Sequence, residues 1–218
     1  MSRWPTPRPS YPKSFLLLLL LSACTAPGPG SFASGNDASA RQQQVLLGRR
    51  LVLDHGCADC HSTGVPSPMD PGFLAGIADT AAPFQMGPFK TRPKNLTPDN
   101  ATGIGRFSER QIFNSLRYGL RPEETPDVDI SSTTPGRGNF PAHPHYLAPP
   151  MPWIAFRHMS DQELLAIAAY LKNGLKPVSH RVLDSEGPPD FWAAGYSVER
   201  MGPYPAPPFP AAAEKGSR

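Results

Sequence analysis

The sequence predicts an all-α domain threaded with long irregular loops, and two observations carry the prediction. Three stretches, 41–55, 108–119 and 160–174, place apolar residues at helical spacing, and two of them open on a capping box. All 29 prolines of the 218-residue chain fall outside those stretches, and with 19 glycines they are too many for a uniformly packed helical protein. A chain of this length allows one domain, or one domain with tails.

Residues 1–23 read as an export signal. Arg3, Arg8 and Lys13 lead into Phe15 and the six leucines Leu16–Leu21, followed by small residues. That apolar core is far shorter than the ~20 residues a membrane-crossing helix needs. Removing the segment leaves 18 basic against 18 acidic residues, so no basic field for nucleic acid is present. Residues 24–40 are rich in Ala, Gly, Pro and Ser and read as a flexible tether. From Arg41 to about His55 the pattern becomes helical. Leu47 and Leu51 are four apart, with Val45, Leu46 and Val52 widening the apolar face. Gly48 weakens this helix, which a close crossing with another helix would explain.

Gly56 then leads into Cys57-Ala58-Asp59-Cys60-His61, two cysteines three apart with a histidine directly after the second. This is the attachment sequence of a c-type haem. Each thiol adds across one haem vinyl group, and the next side chain is placed below the ring, where an imidazole can bind iron. A zinc site would want a second Cys/His pair, yet the only other cysteine is Cys24. A dithiol redox pair would want a βαβ setting, which the pattern lacks.

Residues 62–94 carry repeated turn signals and read as an irregular loop around the cofactor, without a helix or strand of useful length. Asn95-Leu96-Thr97-Pro98-Asp99 and Thr102-Gly103-Ile104-Gly105 precede the box Ser108-x-x-Gln111, whose helix turns Ile112, Phe113, Leu116 and Tyr118 inward and ends near Gly119. Residues 121–148 are loop. Pro150-Met151-Pro152-Trp153 and His158-Met159 precede the box Ser160-x-x-Glu163. The helix that follows buries Leu164, Ile167, Ala168 and Leu171 and stops at Asn173-Gly174. The domain is thus read as 41–178. Residues 179–218 hold seven prolines and read as a mostly extended tail, with Phe191, Trp192, Tyr196 and Tyr204 able to pack back.

Together the haem motif, Asn95-Leu96-Thr97-Pro98-Asp99 with Thr102-Gly103-Ile104-Gly105, Pro150-Met151-Pro152-Trp153 and His158-Met159-Ser160-Asp161 resemble the class I cytochromes c. The resemblance covers about Val45 to Pro177 and is to monohaem domains of the kind found in cytochrome c subunits of bacterial periplasmic alcohol, aldehyde and gluconate-type dehydrogenases. It implies about three core helices around one covalent haem c, held by Cys57 and Cys60 with His61 as proximal iron ligand. Leu21-Ser22-Ala23-Cys24 resembles the lipobox of bacterial lipoproteins, which implies a lipid on Cys24 and a place on the periplasmic side of a membrane, inner or outer.

For the distal ligand the choice lies among Met69, Met86, Met151, Met159 and Met201. Met151 is favoured because flanking prolines fix its backbone and because the resembled family places its methionine just ahead of the last helix. Met159 is the runner-up. His55, His143, His145, His158 and His180 are rivals, His143 and His145 foremost. Phe107 and Trp153 are expected to line the haem pocket. Arg106 is either a propionate partner or a surface residue. The expected function is electron carriage between a dehydrogenase donor and an oxidase or other cytochrome acceptor, without catalysis. The alternatives are a haem enzyme or gas sensor with an open distal site, or a non-diffusing electron-transfer subunit of a larger complex.

Overall fold

The computed structural model describes residues 30–196. The signal segment, Cys24, Met201, Tyr204 and the last part of the proline-rich tail lie outside the described residues. The elements are α1 (Gly30–Asp54), α2 (Cys57–His61), strands β1 (Phe84–Met86) and β2 (Phe89–Thr91), α3 (Glu109–Tyr118), α4 (Trp153–Phe156) and α5 (Asp161–Asn173). Short 3₁₀ turns cover Pro122–Glu124 and Ala193–Gly195. No described helix is long and apolar enough to cross a membrane.

The frame is α1 crossed by α5, with α3 packed on α5. Leu51 and Val52 of α1 meet the core that Leu164, Ala166, Ile167, Ala168 and Leu171 form on α5. Small side chains let the helices close in, and Gly48 sits at the crossing. A Cβ there would lie 2.5 Å from the Ala166 carbonyl carbon and 2.8 Å from the Tyr170 Cβ. Leu46, expected on the apolar face, is instead 58% exposed. The helix buries Gly48, Leu51 and Val52 on one face, which turns position 46 to solvent.

Helix α1 also begins eleven residues before the expected Arg41, at Gly30. The stretch expected to be tether is therefore helical from residue 30. Composition misled here, because the last proline before the helix is Pro29 and nothing from Gly30 to Asp54 breaks it. Extending an anchored helix is far easier than nucleating one, and alanines 38 and 40 favour it while remaining exposed.

Both capping boxes form as expected. Gln111 N–H donates to the Ser108 hydroxyl and Ser108 N–H to Gln111 Oε1, each at 3.0 Å. Glu163 N–H donates to the Ser160 hydroxyl at 3.2 Å, and Ser160 N–H returns a 2.8 Å bond to Glu163. Helix α3 stops at Gly119, which is left-handed at φ +68°. Glu109 gathers three helices: it accepts from Arg41 of α1 and, at 2.9 Å, from Asn173 at the end of α5. Buried Arg117 joins α3 to the α4–α5 junction through the carbonyls of Arg157 and Met159 and the carboxylate of Asp161.

Two expectations for the irregular segments need correction. Residues 62–94 contain a hairpin, β1 pairing β2 in the register Phe84↔Thr91, Gln85↔Lys90, Met86↔Phe89. Three-residue strands are too short to show alternation, and Gly87-Pro88 reads only as a turn. The fold is thus helix-rich with one small antiparallel sheet. The domain also continues past residue 178. Lys90 and Glu186 exchange both backbone hydrogen bonds, at 2.8 and 2.9 Å, and Val182 and Trp192 are buried, Trp192 against Phe89 at 5.0 Å. Two large apolar side chains outweigh the Pro188-Pro189 pair, so the expected tail is a strap at least to Tyr196.

Candidate functional site

Helix α1 delivers the chain to Gly56, whose left-handed conformation (φ +63°) turns it directly into α2. Helix α2 is a single turn, which puts Cys57, Cys60 and His61 on adjoining positions of one short rigid element. Ala58 between them is buried in the main core, and Cys57 packs against that core. Both cysteines are free thiols. Burial, aided by the nearby Asp59 carboxylate, pushes the Cys57 thiol up to about 11. A reactive dithiol pair needs the opposite shift, so the redox-pair reading loses support. Among the described residues no group of three or more His, Cys, Asp or Glu side chains converges.

The most informative contact is made by His61. Its Nδ1 lies 2.7 Å from the carbonyl oxygen of Lys94. A carbonyl can only accept, so the imidazole carries its proton on Nδ1 and keeps the Nε2 lone pair free. Burial lowers the basicity of His61, and the Lys94 carbonyl partly offsets it. The ring is therefore a neutral, oriented donor. Metal-bound histidines are usually held in this way, by a second hydrogen bond that fixes tautomer and ring plane. Two thiols on one turn with such an imidazole beside them suit a covalently attached haem.

The acceptor segment is itself fixed. Asn95 is 1% exposed and fully engaged: Nδ2 donates to Val178 O at 2.8 Å, His180 O at 3.2 Å and Thr102 Oγ1 at 3.1 Å, while Oδ1 accepts from Thr97 N–H and hydroxyl. Asp99 accepts from Thr102 and Ala101, which holds its carboxyl below the usual range, the Thr102 hydroxyl contributing most. The Asn-Leu-Thr-Pro-Asp segment is a scaffold for the loop beside His61. Nothing in the sequence could reveal that a backbone carbonyl is the partner of the histidine.

Met151 and Met159 are both partly buried against the same core that carries Ala58 and Cys57. Met151 follows a turn, its N–H donating to Ala148 O at 2.9 Å. Met159 is held at the N-terminal boundary of α5, its carbonyl accepting from Arg117 at 2.7 Å. Met69 is 91% exposed, and Met86 sits on the hairpin. The histidine rivals are mostly engaged elsewhere: His145 with Glu124 and Asp190, His180 with the Ala75 carbonyl at 2.7 Å, His55 against Phe156, while His143 and His158 are exposed. Phe107 is part of the main core. Trp153 is not; it is buried between Tyr146, stacked at 6.0 Å, and Tyr196 at 5.0 Å. Arg106 pairs with Glu123 at 3.0 Å and lies over the Phe107 ring.

No family model matches the chain. Among curated proteins it is similar to the fructose dehydrogenase cytochrome subunit of Gluconobacter japonicus, 28% identical over 65% of this chain and 23% of that protein. It is also similar to the gluconate 2-dehydrogenase cytochrome c subunit of Pantoea cypripedii, 28% identical over 81% of this chain and 32% of the relative. A diheme cytochrome c-type protein of Cereibacter sphaeroides is 25% identical over 59% of the chain and 35% of its own length. The chain therefore spans between about a quarter and about a third of the length of these relatives. The relatives are cytochromes c or cytochrome subunits of bacterial dehydrogenases, which supports a covalently bound haem c and a role in electron transfer.

Proposed function

We propose that this chain carries one haem c through Cys57 and Cys60, with His61 Nε2 as proximal and Met151 as distal iron ligand. In this reading it passes single electrons from a dehydrogenase or other respiratory donor to a downstream oxidase or cytochrome. A lipid on Cys24 holds it on the periplasmic side of a bacterial membrane. The observation that carries the reading is the Nδ1–Lys94 hydrogen bond of His61, made beside two free thiols on one helical turn. Bound there, the haem supplies a one-electron iron couple. The protein's part is to keep the ligands still. Helix α2 is fixed by Gly56 and by buried Ala58, and His61 is fixed by a backbone carbonyl; a Met151 thioether would complete the iron's ligand set and would then leave no position for a substrate. Confinement by a lipid anchor raises the effective concentration of carrier and partners.

The test is the absorption spectrum and intact mass of protein made in a haem-attaching host. Covalent haem and a low-spin ferric spectrum are expected, with a weak near-infrared methionine–iron band lost in Met151→Ala and kept in Met159→Ala. A high-spin ferric spectrum that takes up azide would support the haem-enzyme or sensor reading instead. A second reading is favoured by the names of two relatives, which are subunits of dehydrogenases. On it the chain stays bound to a dehydrogenase, and copurification with a catalytic chain distinguishes this from a freely moving carrier.

A further inference from the structure

The strap of residues 178–196 reaches both sides of His61. On the acceptor side, Lys94 Nζ donates to Leu183 O at 2.7 Å and lies 3.7 Å from Asp184, while Asn95 donates to the carbonyls of Val178 and His180. On the backbone side, the His61 carbonyl accepts from Gly76 N–H at 2.8 Å, and Gly76 is covered by the strap residue Val182. The neighbouring Ala75 carbonyl accepts from His180 of the strap at 2.7 Å. Val182 is buried, and the Glu186–Lys90 pairing secures the next turn of the strap to the hairpin. No strap residue is placed among the proposed iron ligands. The contacts of the strap nevertheless converge on the two short segments, 75–76 and 94–95, that hold the histidine.

We propose that the strap is a positioning element for the proximal histidine: it presses segments 75–76 and 94–95 together, keeps the Lys94 carbonyl on Nδ1 of His61, and so sets the electron donation of that imidazole to iron. The inference rests on His61 being the proximal ligand. A firm hydrogen bond to Nδ1 makes the ring a stronger donor and stabilises the oxidised iron. Loosening the strap weakens the bond, and the reduction midpoint then moves positive.

The test uses the full-length haem-loaded protein, with Val182→Asp to release the strap and Val182→Ala as the milder variant. Release is read from faster amide exchange at Glu186, whose N–H is bonded to Lys90 O. Two further readouts then follow, the midpoint in a redox titration and the exchange rate of the His61 ring proton. Val182→Asp is expected to move the midpoint positive and to speed ring-proton exchange about tenfold, the scale of one lost hydrogen bond, with Val182→Ala between it and wild type. Loss of protection at Glu186 with both His61 readouts unchanged overturns the inference. Should Val182→Asp not accumulate with haem, Val182→Ala and Lys94→Met must shift both readouts in the same direction, and no shift in either overturns it equally. Wild-type protein lacking covalent haem or a histidine-ligated iron would refute the proposed function before any variant is compared, and the strap inference with it.

Discussion

Replacing Gly48 by alanine sets two effects of opposite sign against each other. Glycine inside a helix costs about 1 kcal/mol relative to alanine, so on propensity alone the change should stabilise α1. At the crossing with α5, however, the new methyl would fall 2.5 Å from the Ala166 carbonyl carbon and 2.8 Å from the Tyr170 Cβ. Neither neighbour is the end of a flexible side chain that could swing aside. One is backbone of a buried helix and the other is anchored at its own Cα, so the axes themselves must separate. Overpacking of this kind typically costs 1–3 kcal/mol, and the involvement of backbone places this case at about 3 kcal/mol. The net expectation is a loss of about 2 kcal/mol, or a fall of about 4–8 °C in Tm for a domain of this size. Thermal unfolding of the haem-loaded protein measures it, with Ala40→Gly on the exposed face of α1 as a propensity control expected to lose at most about 1 kcal/mol. A Gly48→Ala protein as stable as wild type, or more so, would refute the helix crossing as described.

Gly119→Ala should lose more than about 2 kcal/mol in denaturant unfolding, because a Cβ at φ +68° is strained and would also collide with Cδ2 and Cε2 of the Trp153 ring. Glu109→Ala should cost about 1 kcal/mol, since it frees α1 and α5 from a partly exposed junction, and Arg41→Ala added to it should cost little more. The Glu163 carboxyl is held low mainly by accepting the Ser160 N–H, then by the Ser160 hydroxyl. A lowered folded value means that its stabilisation is present above the ordinary carboxylate value of 4.5 and fades as pH falls through the folded one. Acid unfolding of Glu163→Gln, which keeps a capping acceptor, should therefore show a weaker stability loss below that pH than wild type, and identical profiles would contradict it.

What the sequence revealed depended on whether a residue acts through its own side chain. The boxes Ser108–Gln111 and Ser160–Glu163 were legible because both partners lie within four residues. Gly48 was legible because a glycine in a helical pattern asks for a reason. The start of α1 was misplaced because an Ala-, Gly- and Ser-rich stretch lacks the apolar periodicity that marks helices, although it has no breaker either. The strap was read as tail because its anchors, Val182, Glu186 and Trp192, are scattered among prolines and meet partners about a hundred residues earlier. The neighbours of Trp153 were hidden for a similar reason: Tyr146 and Tyr196 belong to a loop and to the strap.

The same distinction separates two kinds of constraint at the candidate site. The positions of Cys57, Cys60 and His61 relative to one another follow from local chain geometry, a left-handed glycine and one helical turn. Orientation of the imidazole depends instead on a carbonyl 33 residues away, and that carbonyl is steadied by residues more than eighty positions further on. A local turn suffices to attach a cofactor, because attachment needs only the two thiols within reach. On the proposed reading, rapid electron exchange asks for more, since an imidazole that rotated or lost its acceptor would change the surroundings of the iron it is proposed to hold with each redox step. On that reading, the long-range layer of hydrogen bonds through Asn95 and Lys94 is what the fold adds to the pentapeptide, beyond what covalent attachment alone would require.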